Sequence, residues 1–301
     1  MNGSINNFVY TIITPARNEG KNIGHLLASV TSQTVLPIKW IIVNDNSTDN
    51  TVDLVRDYLP RFPWIELVNM QNVRDRSFAA KVSCFNAGFQ QVKMLDFDII
   101  GNIDADVSFE VDYFEFLINK FAEDPNLGVA GTPFIEDSGY SSLYDSFEGE
   151  NHVAGGCQLF RRKCFEEIGG YLANRKGGID WIAVTTARMN GWKTRSFREK
   201  LFHHHRSLGT GESNSIAAFF NYGRKDYYLG NHPLWEILRI VYRMAKNPYA
   251  VGGLGLLSGY LWEAVLGKDR PVTQELIRFH RKEEMQKLKT IFRTIFTRNR
   301  T

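Results

Sequence analysis

The sequence predicts an α/β fold: a doubly wound, mostly parallel sheet flanked by helices, with a helical appendage at the carboxyl end. Three observations lead there. Short β-branched and aromatic runs alternate with helix-period segments through the first third of the chain, the pattern of successive β-α-β units. The fourth such run, Phe97-Asp98-Ile99-Ile100-Gly101-Asn102-Ile103, ends in Asp104-Ala105-Asp106. Beyond about residue 212 the strand pattern stops, and helical periodicity with Lys and Arg on the polar faces takes over.

Taken in order, Phe8-Val9-Tyr10-Thr11-Ile12-Ile13 reads as a buried first strand. Thr14-Pro15-Ala16-Arg17-Asn18-Glu19-Gly20 follows as a loop: Pro15 removes a donor, and Gly20 permits unusual backbone angles. Residues 21–33 read as a helix with Ile23, Leu26, Leu27 and Val30 on one face. Trp40-Ile41-Ile42-Val43 is a second strand, running into Asn44-Asp45-Asn46-Ser47-Thr48-Asp49, where Ser47, Thr48 and Asp49 are N-cap candidates for the helix carrying Val52, Leu54 and Val55. Trp64 to Val68 is a third strand, and a helix from about Phe78 to Val92 precedes the fourth. Further on, 110–121 reads as a helix facing the core through Phe114, Leu117, Ile118 and Phe121; Leu127 to Pro133 reads as a strand and 194–202 as strand-like.

Asp104 and Asp106 sit where an open α/β sheet collects its ligands, beyond the carboxyl end of a strand. Neither has a neighbouring Lys or Arg to neutralise it, and two such carboxylates repel each other unless a cation joins them. Hard oxygen ligands favour Mg²⁺ or Mn²⁺, and a site offering one or two carboxylates leaves positions for phosphates. The expectation is a metal–diphosphate platform; an isolated Asp-x-Asp is also compatible with an Asp-rich turn.

Composition narrows the field. The 301 residues are long enough for one large domain with an appendage, and hydrophobic and charged contents of 43% and 23% are those of a globular protein. A net charge of +3, with no basic stripe interleaved with aromatics in the first two-thirds, argues against nucleic acid. Cys84, Cys157 and Cys164 are odd in number and lack metal spacing, which fits buried reduced thiols of a cytosolic protein. The first seven residues have neither a basic n-region nor a long apolar run, unlike a secretory signal. The first loop has no Gly-x-Gly-x-x-Gly, so the dinucleotide reading fails.

Thr14 to Glu19, Asn44 to Asp49 and Asp104-Ala105-Asp106 resemble the signatures of family 2 glycosyltransferases of the GT-A fold, as do Gly155 to Arg162 and Ile168-Gly169-Gly170-Tyr171; together they span about residues 8–210 in family order. The resemblance implies an inverting enzyme that takes a nucleotide-sugar donor. By it, 1–212 is the catalytic domain (the nucleotide-sugar half to about 107, the acceptor half from 108), and 213–301 is a separate helical region. It puts Asp45 on the nucleotide base, places Pro15, Arg17 and Glu19 in the nucleotide-binding loop, and brings Lys81, with Asn86-Ala87-Gly88, near the nucleotide. In the Asp104-Ala105-Asp106 motif, Asp104 takes the ribose and Asp106 the metal. A capping Asp45 and a solvated Lys81 are the structural alternatives.

The family's catalytic base falls at Asp180 in Gly178-Ile179-Asp180-Trp181, although Ile179 departs from the usual acidic pair. Inversion needs one carboxylate to deprotonate the acceptor hydroxyl; the alternative is an Asp180 that only caps its helix. Similar enzymes carry His-His-Arg where His203-His204-His205-Arg206 stands, which makes His204, then His205, a metal ligand and Arg206 a partner of diphosphate oxygens; a surface cluster is the alternative. The Gly/Ser-rich 136–151 reads as a mobile flap near the acceptor.

Residues 213–247 read as helices without the Gln-x-x-Arg-Trp of processive synthases, which favours addition of a single sugar. Tyr249–Leu266, 18 residues interrupted by Glu263 alone, is at the lower limit for a membrane span and equally suits a buried hairpin. Gly255-x-x-x-Gly259 permits close helix packing. Residues 275–301, eight Lys/Arg against three Glu, carry the stripe Met285, Leu288, Ile291, Phe292, Ile295 and Phe296; it suits an anionic membrane surface or packing on the protein's own domain. The expectation is a peripheral enzyme at the cytoplasmic face of the cell membrane, acting on a saccharide or polyprenyl-linked acceptor in cell-surface polysaccharide synthesis. A sugar-nucleotide nucleotidyltransferase and a non-catalytic nucleotide-sugar binding protein are the competing readings.

Overall fold

The computed structural model describes residues 8–71, 75, 77–143, 149–206, 215–246, 249–266 and 270–298. The chain divides into two compact units, 1–207 and 208–301.

The first unit opens with β1 (Tyr10–Ala16), α1 (Ile23–Thr31), β2 (Lys39–Asn44), α2 (Thr51–Arg56), β3 (Ile65–Asn69), α3 (Phe78–Val92) and β4 (Ile99–Ile103). It continues through β5 (Val107–Ser108), α4 (Tyr113–Glu123), β6 (Leu127–Gly131), β7 (Phe134–Glu136), β8 (Cys157–Arg161), α5 (Arg162–Glu167), α6 (Ile179–Met189), β9 (Lys193–Ser196) and β10 (Phe202–His204). Seven strands form one sheet in the order β3-β2-β1-β4-β8-β6-β9, and β5-β10-β7 form a second. β1, β2, β3 and β4 are parallel neighbours, whereas β8 runs antiparallel between β4 and β6.

The strands are apolar because both faces of the sheet are covered. Adjacent residues of one strand serve opposite layers: Ile12 packs with Leu26, Leu27 and Phe114 in the layer of α1 and α4, and Ile13 with Val82, Phe85 and Val184 in the layer of α3 and α6. α3 presses on the sheet through Gly88, where a Cβ would lie 2.6 Å from Ile13 Cγ2. Cys84, Cys157 and Cys164 are buried free thiols, and burial pushes Cys157 and Cys164 up to about 12.

Of the expected α2 caps, Asp49 does serve the helix start, its Oδ1 accepting from the Thr51 amide at 3.1 Å, while Ser47 and Thr48 do other work. The N-cap position is Asn50, with no side-chain cap bond. Ser47 Oγ accepts from the Asn18 amide, the Thr48 amide donates to Asn18 Oδ1, and Asp49 Oδ2 accepts from the Gly20 amide. These polar side chains tie the loop after β2 to the loop after β1.

The second unit contains α7 (Ser215–Leu229), α8 (Pro233–Met244), α9 (Val251–Leu266) and α10 (Gln274–Arg298). Among the described residues, no helix is long and apolar enough to cross a membrane. α9 packs against α7 backbone to backbone: a Cβ on Gly259 would lie 1.9 Å from the Phe220 carbonyl oxygen, and one on Gly223 2.0 Å from that of Leu256. In α10, Leu288 is buried while Ile291 and Phe292 are exposed; the side chains of Ile295 and Phe296, from the same stripe, lie outside the described residues.

Two stability predictions arise here. Gly259→Ala is expected to cost about 1–3 kcal/mol in urea unfolding, because the displaced neighbour is main chain and not a flexible side chain. Gly24→Ala in α1, where nothing lies within 4 Å, is expected to be neutral or stabilising. Equal losses would contradict the close α7–α9 contact. The second concerns Glu236, 1% exposed, whose carboxyl is raised from 4.5 to about 8 by burial and then by Asp226. Between those values the folded chain holds a proton that the unfolded chain releases, so stability is expected to fall as pH rises from 5 to 8 and then level off. The slope reaches at most about 1.4 kcal/mol per pH unit, and Glu236→Gln should flatten it in pH-dependent thermal unfolding.

Candidate active site

The site gathers at the carboxyl ends of β1, β2 and β4. β1 delivers Pro15, half-buried and paired in register with Val43, and then Arg17 and Glu19. Glu19 is buried; its amide donates to Thr51 Oγ1 at 2.8 Å, and its carboxylate accepts from Asn22 Nδ2 at 3.1 Å. β2 delivers Asp45, whose amide bonds to the Ala16 carbonyl at 2.8 Å. Arg17 Nη1 lies 3.3 Å from Asp45 Oδ2, while Asp45 Oδ1 is buried without a hydrogen-bond partner among the described residues. A buried carboxylate oxygen left unpaired suits a ligand N–H.

β4 ends at Ile103, and the Asp104 amide donates to the Gly156 carbonyl at 2.9 Å. Ala105 buries its methyl in the core, which turns the flanking Asp104 and Asp106 the other way. The second sheet brings the histidines: β10 pairs with β5, His204 opposite Val107, and the His205 amide bonds to the Asp106 carbonyl. One ligand atom each from Asp104, Asp106 and His204 lies within 4.8 Å of the others. His204 Nε2 is 3.7 Å from Asp106 Oδ1, and its Nδ1 meets the Arg206 carbonyl oxygen. A carbonyl only accepts, so in a neutral ring Nδ1 carries the hydrogen and Nε2 presents its lone pair to Asp106. Two carboxylates and such an imidazole fit a divalent cation of the Mn²⁺ or Mg²⁺ kind. His205 is elsewhere: it stacks on His25 at 4.4 Å and bonds Ser108 Oγ at 2.8 Å, and burial lowers its pKa. Just past the end of β10, it turns to Ser108 and His25 and not to the group that His204 joins.

Both acids do have basic partners, supplied by distant segments. Lys81 on α3 forms an ion pair with Asp104. Arg206 Nη2 lies 2.6 Å from Glu19 Oε2, and its Nε 3.6 Å from Asp106 Oδ2. Burial outweighs Lys81 and, with Asp106 alongside, holds Asp104 above the usual carboxylate range. Burial works against the charged Lys81, yet Asp104, Asp180 and Asp106 together keep its pKa raised. Glu19 is raised by burial and by Asp106, against Asn22 and Arg206.

Asp180 stands in the first turn of α6, whose N-cap is Gly178 at φ +76°, so the helix start does not depend on Asp180 as its cap. Its field reaches Lys81 and Tyr171. The function of Gly155-Gly156 is steric: a Cβ on Gly155 would lie 2.8 Å from Asp180 Oδ2, and one on Gly156 3.1 Å from the Phe202 ring and 3.7 Å from His204 Cδ2. Sequence reasoning missed this clearance and the Glu19–Arg206 pair; the glycine doublet was the visible signal for the first. A cavity of about 670 Å³ opens elsewhere, lined by Lys120, Asp124, Trp192, Lys193 and Phe197, and contains none of these residues.

Sheet order and site define an α/β protein whose binding crevice lies beyond the carboxyl ends of its parallel strands. The family model described as "Glycosyl transferase family 2" matches residues 11–169, more than half of the chain. The chain belongs to glycosyl transferase family 2. It is 38% identical over 206 residues to the 4,4'-diaponeurosporenoate glycosyltransferase of Staphylococcus aureus (strain USA300), an alignment covering 61% of this chain and 52% of that protein. The chain thus spans about half the length of the curated relative it matches. Among solved structures it resembles a mannosyltransferase from Pyrobaculum calidifontis in complex with GDP-Man and Mn²⁺, at TM-score 0.56 and 16% identity over 96% of this chain and 83% of that one. It also resembles residues 1–349 of S. aureus TarS in complex with UDP-GlcNAc, at TM-score 0.54 and 14% identity over 87% and 74%. The fold is GT-A, and family membership removes the nucleotidyltransferase reading.

Proposed function

We propose that the chain transfers one sugar from a nucleotide-sugar donor to an acceptor hydroxyl, with inversion and with help from a divalent cation. The convergence of Asp104, Asp106 and His204, with Lys81, Arg206 and Asp180 around them, is the observation that carries this reading. Asp45, with its unpartnered Oδ1, accepts from the base, and Pro15, Arg17 and Glu19 shape the loop beside it. Asp104 accepts from the ribose, and the Asp104–Ala105–Asp106 backbone passes under the nucleotide. Mn²⁺ or Mg²⁺ would be held by Asp106 and His204, and when bound would neutralise charge on the departing diphosphate. Arg206 and Lys81 add fixed positive charge at the same place. Asp180 takes the proton of the acceptor hydroxyl; inversion requires it opposite the leaving group, and a good leaving group needs no second carboxyl. The 136–151 segment borders the acceptor; its residues 144–148 lie outside the described ones.

The acceptor is a saccharide or a lipid-linked molecule of the cell surface, met at the cytoplasmic face of the membrane. The S. aureus relative, named for 4,4'-diaponeurosporenoate, is in keeping with a lipid-like acceptor. Residues 1–212 carry the catalysis and 213–301 the membrane contact.

The test is release of nucleoside diphosphate from UDP-, GDP- and dTDP-sugars with Mn²⁺, Mg²⁺ or EDTA, with and without membrane extract as acceptor. Metal-dependent release from one donor supports the reading. Failure to bind any donor overturns it, and donor binding without release in the presence of extract leaves a binding protein.

A further inference from the structure

The second unit is built inside out. In α8 the ionisable residues turn inward: Glu236 is 1% exposed, and Arg239 reaches Asp226 Oδ1 at 2.5 Å. The outward positions are Leu234, Ile237, Leu238, Val241 and Tyr242, spaced i, i+3, i+4, i+7, i+8, with Ile237 55% and Val241 57% exposed. α9 repeats the inversion. Glu263, 0% exposed, pairs with Arg224 at 3.0 Å, while Leu254, Leu261, Trp262 and Val265 face out. A helix bordering water would show the opposite pattern, with its charges solvated and its aliphatic stripe covered. Two neighbouring helices sharing one inversion amount to a surface beyond singly scattered apolar residues.

Charge indicates what covers it. Residues 208–301 hold fifteen Lys/Arg against eight Asp/Glu, a net of +7, while 1–207 are net −4. An apolar face on a strongly basic unit matches an anionic lipid surface; a second copy would bring its own +7 against it. Helix length sets the depth: α8 and α9, at 12 and 16 residues, are about 18 and 24 Å long, short of a hydrocarbon core of about 30 Å. Exposed Trp262, Tyr242 and Tyr249 are side chains of the headgroup boundary.

We infer that the outward faces of α8 and α9 form a membrane-docking surface that lies within the interface of an anionic bilayer without crossing it. The assignment moves the contact from the α10 stripe, part of which is buried at Leu288, to two other helices. It stands apart from the donor-site reading, because vesicle binding is measured with no nucleotide present.

The full chain is floated with vesicles of phosphatidylcholine containing phosphatidylglycerol, and with phosphatidylcholine alone. Wild type is expected to float with the anionic vesicles and to remain partly bound in high salt. Val241→Glu and Leu254→Glu, at exposed positions, should lower binding at least about ten-fold with unchanged thermal midpoints. Brominated acyl chains should quench fluorescence in wild type, and the quenching should be lost in Trp262→Phe; this keeps the proposal testable should a glutamate variant fail to fold. Three results overturn it: wild type that neither floats nor is quenched, glutamate variants that float as well as wild type, or a lipid-free dimer that Val241→Glu dissolves without any vesicle binding.

Discussion

Asp106→Ala is expected to lower metal-stimulated diphosphate release by about 10²–10³-fold or more and to abolish the dependence of donor binding on Mn²⁺. Asp106 is the point on which His204 Nε2 and Arg206 Nε both converge, at 3.7 and 3.6 Å, whereas Asp104 is committed to Lys81. Removing Asp106 takes away the carboxylate oxygen that faces His204 and leaves Glu19 as the ion-pair partner of Arg206 among the described residues. The fold should tolerate this well. Loss of the Arg206 contact destabilises, but the repulsion Asp106 exerts on Asp104 and Glu19 goes with it. The unfolding midpoint should therefore move little while Mn²⁺ and nucleoside diphosphate cease to bind cooperatively in titration calorimetry. An Asp106→Ala enzyme that keeps metal-dependent turnover would place the cation elsewhere.

Asp180→Asn is expected to separate binding from transfer. The amide keeps the shape of the carboxylate beside Gly155 but cannot take a proton, so transfer should fall by about 10²–10⁴-fold while donor affinity stays within a few-fold. Because α6 is started by Gly178, the substitution should not shorten the helix, and thermal stability should be close to wild type. A structural role predicts the reverse: a lowered midpoint with the rate per folded molecule unchanged. Measuring donor binding, single-turnover transfer and thermal unfolding on one preparation distinguishes the two.

The half of the site that lies near its own strands was legible in the amino-acid sequence. Asp45, Asp104 and Asp106 each follow an apolar run, and a run of Trp40-Ile41-Ile42-Val43 quality can only be a buried strand with its polar successor at the sheet edge. The extent of α3, Phe78 to Val92, was equally plain, although the face it turns to the sheet was not. Strands without such runs were harder to see. β5 has two residues and β7 three, too few for a period, and the antiparallel β8 hides its alternation behind Gly155-Gly156. The partners of the acids were illegible for another reason. Lys81 lies 23 positions from Asp104, and which face of a crossover helix meets a strand end depends on packing that no local pattern records. The same holds for α8, where composition predicted a helix, but its phase, with Glu236 inward and Val241 outward, follows from the company of α7, α9 and α10.

The Glu19–Arg206 hydrogen bond joins residues 187 positions apart, almost the full length of the first unit. His204 reaches Asp106 only because β10 docks between β5 and β7, strands made long before it. Contacts of such long range close late, after shorter loops have formed. On a ribosome the β1–β4 half of the sheet can therefore assemble while its crevice still lacks the imidazole and the guanidinium. A nascent chain stalled before residue 202 would hold Asp45, Asp104 and Asp106 but lack His204 and Arg206. The cluster is completed only when the final strand of the unit and the residues just after it are in place.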